Sequence, residues 1–210
     1  MATNLILAST SPYRRTLLQQ LGVDFSQTDP CVEESVVSQE SPPERAIRLA
    51  RDKAVGASNL SGSPVHATTT LKNACIFIGS DQVAHLGHTI FSKPGEFEAA
   101  YQQLLQCSGH WVTFSTAVCL VDELGQVLAE GIDIYKIKYR NLSDLDIRKY
   151  LEIDRPFDCA GSIKAEKHGI TLIERAHGND INTLYGLPLI LLIDLLDEAG
   201  FHTISHIKLE

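Results

Sequence analysis

Apolar residues along this chain fall into two rhythms, short unbroken runs and spacings of three or four, and the two alternate from one end to the other. Residues 5–8 form an apolar run of strand type that stops at the hydroxyls of Ser9 and Ser11. Ser11-Pro12 then supplies an N-cap and an N1 proline for a helix ending near Gly22, a suitable C′ residue. Ser41-Pro42-Pro43-Glu44 has capping-box spacing and predicts a second helix through ERAIRLARDKAVGA. The stretch SNLSGSPVHATTT, residues 58–70, reads as an exposed connection.

Residues 74–79, ACIFIG, predict a buried strand that ends at Ser80-Asp81-Gln82. Lys93-Pro94-Gly95 precedes a helix, EFEAAYQQLLQC, closed by Ser108-Gly109. Residues 111–121 and 127–139 predict a long antiparallel hairpin around a turn at 122–125. In its second strand the apolar phase slips by one between Ile134 and Ile137, which predicts a bulge there. Ser143 opens a further helix, SDLDIRKYLEI, with Asp146 at N3. A glycine-containing loop, CAGSIKAEKHGI, leads to a short strand TLIER and then to a core helix in LPLILLIDLLDEA. That last segment is shorter than the roughly 20 residues a bilayer span needs, and Asp194, Asp197 and Glu198 share one of its faces. The interleaving predicts an α/β class, or α+β, with a mixed sheet in a single two-lobed domain over residues 1–210.

Composition narrows this picture in two ways. A net charge of −8 counts against a general nucleic-acid or membrane-surface binder, yet leaves room for a small polyanion held by a few local cations. Five cysteines, odd in number and without CxxC spacing, favour reduced thiols in a cytoplasm over a disulfide framework or a zinc site. Cys119, inside an apolar run, reads as a small core residue. The first residues carry no basic segment followed by an apolar one, so no signal peptide is expected.

Polar chemistry gathers where apolar runs stop. At Ser9, Ser11, Arg14 and Arg15 a helix N-terminus with free N–H groups adjoins two guanidinium forks, a site for phosphate or else two solvated arginines. Asp81 either sits at the mouth of a cleft, holding a cation or taking a proton from water, or simply begins a turn. Glu33, Glu34, Lys53 and Lys93 complete what metal-assisted phosphoryl transfer requires, though each alone is also an ordinary surface charge. No P-loop, G-x-G-x-x-G or G-x-S-x-G motif is present. His85 and His88 flank a Leu-Gly turn with no third zinc ligand in place, and His66, His110 and His206 read as incidental.

In order along residues 4–201, the stretches LILASTSPYRRTLL, VEES, RLARDKA, IGSDQVA, SKPGEFEAAYQQL, CSGHWVTFST, DCAGSIKAEKHGITLIE and GNDINTLYGLPL resemble the Maf family of nucleoside triphosphate pyrophosphatases. The resemblance implies a twisted mixed sheet flanked by helices around a central cleft. It also implies hydrolysis between the α- and β-phosphates with a divalent metal: magnesium, manganese or cobalt. Carried across, Asp81 would activate water, and Glu34 with Asp81 would bind metal. Arg14, Lys53 and Lys93 would hold phosphates, with Arg15, Ser9 and Ser11 completing the cradle.

Three positions sort the family by base. Tyr13, Gln82 and Glu166 all match the group resembling 7-methyl-GTP pyrophosphatase, whereas the dTTP and UTP group carries Arg, Thr and Gln there. An aromatic face suits the positive charge of N7-methylguanine, and a carboxylate suits the guanine N1–H and amino group. Departures are Ser92 for Gly, Glu33 for Asp, Ile163 for an aromatic, and Lys167, which stands where it can pair with Glu166. The implied partner is a free nucleotide rather than a nucleic acid or a membrane, with a homodimer as the family's suggestion. The alternatives are the same reaction on another nucleotide, or a nucleotide-binding regulator of cell division with little catalysis.

Overall fold

The computed structural model describes residues 3–35, 37–61 and 74–208. A seven-stranded mixed sheet runs in the order β2-β1-β3-β5-β6-β7, with β4 also on β3. Its strands are β1 (Asn4–Ala8), β2 (Phe25–Thr28), β3 (Cys75–Leu86), β4 (Thr89–Phe91), β5 (Trp111–Val121), β6 (Val127–Tyr139) and β7 (Ile173–His177). β1 pairs in parallel with β2 and β3, and every other pairing is antiparallel. The helices are α1 (Pro12–Gln19), α2 (Pro42–Ser61), α3 (Phe97–Cys107), α4 (Asp144–Asp154), α5 (Asn182–Tyr185) and α6 (Leu189–Glu198). The α/β reading and the mixed sheet are both found. Among the described residues, no helix is long and apolar enough to cross a membrane.

Local chemistry explains most boundaries. Ser11 caps α1 by accepting from the Arg14 amide, and Ser41 and Ser143 form capping boxes with Glu44 and Asp146. α2 continues to Ser61, beyond the helix end expected near residue 57. The rest of the expected 58–70 connection, with His66, lies outside the described residues. The short strand begins at Ile173 rather than Thr171, because residues His168–Leu172 form a 3₁₀ turn in which the Thr171 hydroxyl donates to the His168 carbonyl at 2.7 Å.

Two expectations about the sheet need correction. Pairing of β5 with β6 is unbroken from Trp111 opposite Lys138 to Leu120 opposite Ala129, so no bulge lies between Ile134 and Ile137. The register shifts instead fall at Leu120/Val121 and Lys138/Tyr139. Ala129, Tyr135, Ile137 and Tyr139 make one buried alternation, while Ile132 packs on the opposite face against the α2 core. Two covered faces overlapping in one strand imitate a phase slip.

The second correction concerns β3, which does not end at Gly79. Its ladder with β5 runs without interruption from Phe77 opposite Val121 to His85 opposite Thr113. Asp81 is therefore in mid-strand, neither at a strand end nor in a turn. Gly79 serves close packing: a Cβ there would strike the Ala50 carbonyl and approach Ala54. The alanine face of α2, Ala46, Ala50, Ala54 and Ala57, allows that approach and buries Phe77 and Cys119 beneath it. A second core lies beneath α1 and α6 around Leu7, Leu18, Ile78 and Leu192, and a third beneath α3 and α4 around Phe114, Ile137 and Tyr139. Each large side chain so buried contributes about 1.5–3 kcal/mol.

Candidate active site

The sheet leaves a gap where the sequence placed its chemistry. On the β3 edge opposite β5, β1 pairs only as far as Ile78, and β4 begins at Ala84. Into the interval between them opens a cavity of about 330 Å³. Because strand side chains alternate, Asp81 and Val83 face α2, while Gln82 faces α5. The cavity thus has two walls of different chemistry.

The α2 wall is charged. Lys53 is 7% exposed, and its ammonium donates to Asp81 Oδ1 at 2.6 Å and meets Glu34 Oε1 at 2.7 Å. Asp81 is equally buried, so the lysine bridges two carboxylates at the edge of the interior. Burial pushes the Glu34 carboxyl up. The hydrogen bond and charge of Lys53, aided by Lys93 and Arg14, outweigh that and hold it below the usual glutamate value. At the α1 end, Arg14 Nε donates to the Gly186 carbonyl at 2.8 Å, and its guanidinium reaches Ser9 Oγ at 3.4 Å. Gly186 has φ +105°, a conformation open to glycine, and its carbonyl also accepts from Ser80 at 3.2 Å. Burial lowers the Arg14 pKa from its ordinary value, and Asp81 and Glu34 act against that. The first turn of α1 carries no acidic residue, so its N-terminus and cations face the cavity uncompensated from within the helix.

The α5 wall is aromatic and amide-rich. Gln82 Nε2 donates to the Thr183 carbonyl at 2.6 Å, to Leu184 at 3.2 Å and to the Thr116 hydroxyl at 3.2 Å. Tyr13, Ile163, Glu166 and Tyr185 also line the cavity. The Tyr13 phenol is pushed up to about 12, first by burial and then by nearby Cys159 and Asp158. Glu166 is exposed at the tip of a turn in which the amides of Lys167 and Gly169 both donate to the Lys164 carbonyl.

Of the residues singled out from sequence, Ser11, Tyr13, Arg14, Glu34, Lys53, Asp81, Gln82, Lys93 and Glu166 share this cavity. Ser9 and Glu33 line an adjoining hollow with Arg14, Lys53 and Lys93. Arg15 is exposed and lines neither of these hollows but a third cleft, with Ser9, Thr10, Gln19 and residues 23–29. Adjacent helical residues point about 100° apart, so Arg14 and Arg15 line different hollows on either side of Ser9. Lys167 is exposed, and no ion pair joins it to Glu166 among the described residues. Sequence reasoning missed Arg45 and Tyr185, which also line the cavity, and the Gly186 carbonyl. The only signal for Arg45 was its helical spacing from Lys53, while the other two fell in GNDINTLYGLPL, where no residue had been singled out.

Among the described residues, no group of three or more His, Cys, Asp or Glu side chains is placed to hold a metal ion. Glu34 and Asp81 nevertheless offer hard carboxylate oxygens, the donor type magnesium or manganese takes when phosphates supply the remaining ligands. The residues fit a cation that arrives with a phosphate chain rather than one caged by protein alone.

Comparisons with known proteins place the chain among relatives. A family model described as Maf-like protein matches residues 4–199. A protein named 7-methyl-GTP pyrophosphatase from Nitrosococcus oceani is 43% identical over 199 residues, covering 94% of each chain. Proteins of the same name from Aromatoleum aromaticum and Pseudomonas putida are 42% and 41% identical, covering 94% and 93% of this chain and 96% of their own. A crystal structure of a nucleoside-triphosphatase / dITP/XTP pyrophosphatase from Mycobacterium abscessus aligns with 66% of this chain and 75% of its own at a TM-score of 0.40 and 17% identity, too distant to carry an argument.

Proposed function

This chain belongs to the Maf-like protein family, and on that premise we propose that it is a nucleoside triphosphate pyrophosphatase acting on 7-methyl-GTP. The observation that carries the reading is the buried Lys53 ammonium bridging Asp81 and Glu34 beneath a cavity whose other wall holds Tyr13, Gln82 and Glu166. Water attacks the α-phosphorus, the bond from that phosphorus to the α,β-bridging oxygen breaks, and 7-methyl-GMP and pyrophosphate separate. Asp81 accepts the proton the water gives up. Lys53 holds that carboxylate in place and offsets charge growing on the bridging oxygen, while Arg14 and Lys93 bind phosphate oxygens.

Glu34 and Asp81 would hold a divalent cation, which supplies charge neutralisation to the phosphates when bound. The Tyr13 ring stacks on the cationic methylated base, and the Glu166 carboxylate accepts from the guanine N1–H and amino group. With its amide nitrogen committed to the α5 carbonyls, Gln82 has its oxygen left to face the base. One continuous sheet carrying every strand among the described residues supports a single functional unit.

A panel of nucleotides with magnesium, manganese or cobalt tests the reading, with monophosphate and pyrophosphate products separated by chromatography. The expected result is fastest turnover of 7-methyl-GTP, with equal amounts of 7-methyl-GMP and pyrophosphate. Turnover of 7-methyl-GTP no faster than GTP would remove the base assignment, and release of orthophosphate would remove the reaction.

A further inference from the structure

Helix α2 carries four cations at the cavity side of the sheet, and three are committed. Arg48 pairs with Glu40 at 2.6 Å and with Asp52 at 3.3 Å, and Arg51 pairs with Glu130. Lys53 bridges Asp81 and Glu34. Arg45 is the fourth. It is half-buried, lines the same cavity, and its guanidinium makes no hydrogen bond or ion pair among the described residues. Its charge is felt by Glu40, but that carboxylate bonds to Arg48.

Spacing fixes where Arg45 acts. Arg45, Leu49 and Lys53 recur at four-residue intervals and all line the cavity, so one helix face presents a cation, an apolar step and a cation over about 12 Å. The Lys53 end meets Asp81. The other end lies with Val83 and with Ile90 and Phe91, where β4 closes the gap. Tyr13 and Arg14 come from α1, where the Tyr13 hydroxyl lies 4.0 Å from Cys159 Sγ and Arg14 holds the Gly186 carbonyl. A phosphate chain whose reacting bond lies beside Asp81 and Lys53 reaches Arg45 with its outer phosphates along this helix face.

We propose that Arg45 binds the β- and γ-phosphates of the substrate, the pyrophosphate that leaves; this rests on the pyrophosphatase reading above. A guanidinium fork there meets two phosphate oxygens at once, and the bond strengthens as the leaving group gains charge.

Calorimetric titration tests it, using inorganic pyrophosphate and 7-methyl-GMP separately at fixed magnesium concentration. The proteins are the parent, Arg45→Gln, Arg45→Lys and, as a control off the cavity, Arg51→Gln. Arg45→Gln is expected to weaken pyrophosphate binding tenfold or more and to change 7-methyl-GMP binding less than twofold. Arg45→Lys recovers part of the loss, Arg51→Gln leaves both affinities unchanged, and thermal melting shows all four proteins folded. Pyrophosphate binding within twofold of the parent in Arg45→Gln overturns the proposal. So does an equal loss for both ligands, or a parent that binds no pyrophosphate. A protein that hydrolyses no nucleotide yet binds pyrophosphate through Arg45 overturns the activity reading, and with it the leaving-group role, while Arg45 remains a pyrophosphate ligand.

Discussion

Across β3, the two walls of the cavity are held by different kinds of structure. On the α2 side, Arg45, Leu49 and Lys53 project from one helix face, and Asp81 comes from the central strand on which that helix packs. On the α5 side, Glu166 comes from a turn, and Gln82 is fastened to the carbonyls of a four-residue helix. The turn is tied to α4 at two points: the Lys164 amide donates to the Tyr150 hydroxyl at 2.8 Å, and His168 meets buried Asp154 at 2.7 Å. Asp81 and Lys53 thus move only with the sheet and its helix. Of the groups proposed to read the base, Glu166 sits on a turn that changes by substitution without disturbing the ladder, whereas Gln82 belongs to the ladder itself. The lesson is a division between fixed chemistry and adjustable recognition.

The largest effect that tests this division is on the charged wall. Asp81→Asn should lower kcat about 10²–10⁴-fold, with melting temperature close to the parent because Glu34 still partners Lys53. Pyrophosphate release at the parent rate would remove Asp81 as proton acceptor. On the opposite wall, Glu166→Gln should cost roughly tenfold in kcat/KM for 7-methyl-GTP while changing turnover of other triphosphates little. An equal fall for every nucleotide would break the comparison, because the turn would then serve the reaction as well as the base.

Smaller effects sharpen the same contrast. Ser41→Ala removes the cap of α2 and should cost about 1 kcal/mol. For a chain of this size that is about 2–4 °C in Tm. Activity at a temperature well below melting should hold, since Lys53 lies three turns further along the helix. The smallest effect concerns Tyr13, whose pKa is raised to about 12. Between pH 10 and 12 the unfolded chain releases this proton while the folded one keeps it, so stability falls as pH rises through that window. Tyr13→Phe should flatten the fall by an amount on the order of 1 kcal/mol after solvent screening, read from denaturant midpoints at pH 9 and pH 12. Equal slopes in the two proteins would mean that Tyr13 titrates like a free phenol.

Much of the fold was legible in local signals. Three serine caps, at Ser11, Ser41 and Ser143, and the hairpin turn at 122–125 form where the residue types demand them, because each is settled within a few neighbouring residues. The middle of β3 was not legible. Gly-Ser-Asp-Gln has turn chemistry, and only the ladder with β5, together with partners such as Lys53 and Thr183, makes it a strand. The four-residue α5 was likewise invisible, being too short to carry a helical period.

By itself, then, the sequence determined the starts of the serine-capped helices, the long hairpin and the inventory of charges, because these depend on caps, turn residues and side-chain alternation. Tertiary structure decided which charges meet. Lys53 reaches Asp81 across 28 residues, and Arg14 reaches the Gly186 carbonyl across 172. It also separated Arg14 from Arg15 and brought Arg45 to the cavity. Such contacts depend on strand order, on the gap left between β1 and β4, and on the angle at which each helix presents a face. No stretch of neighbouring residues encodes any of these alone.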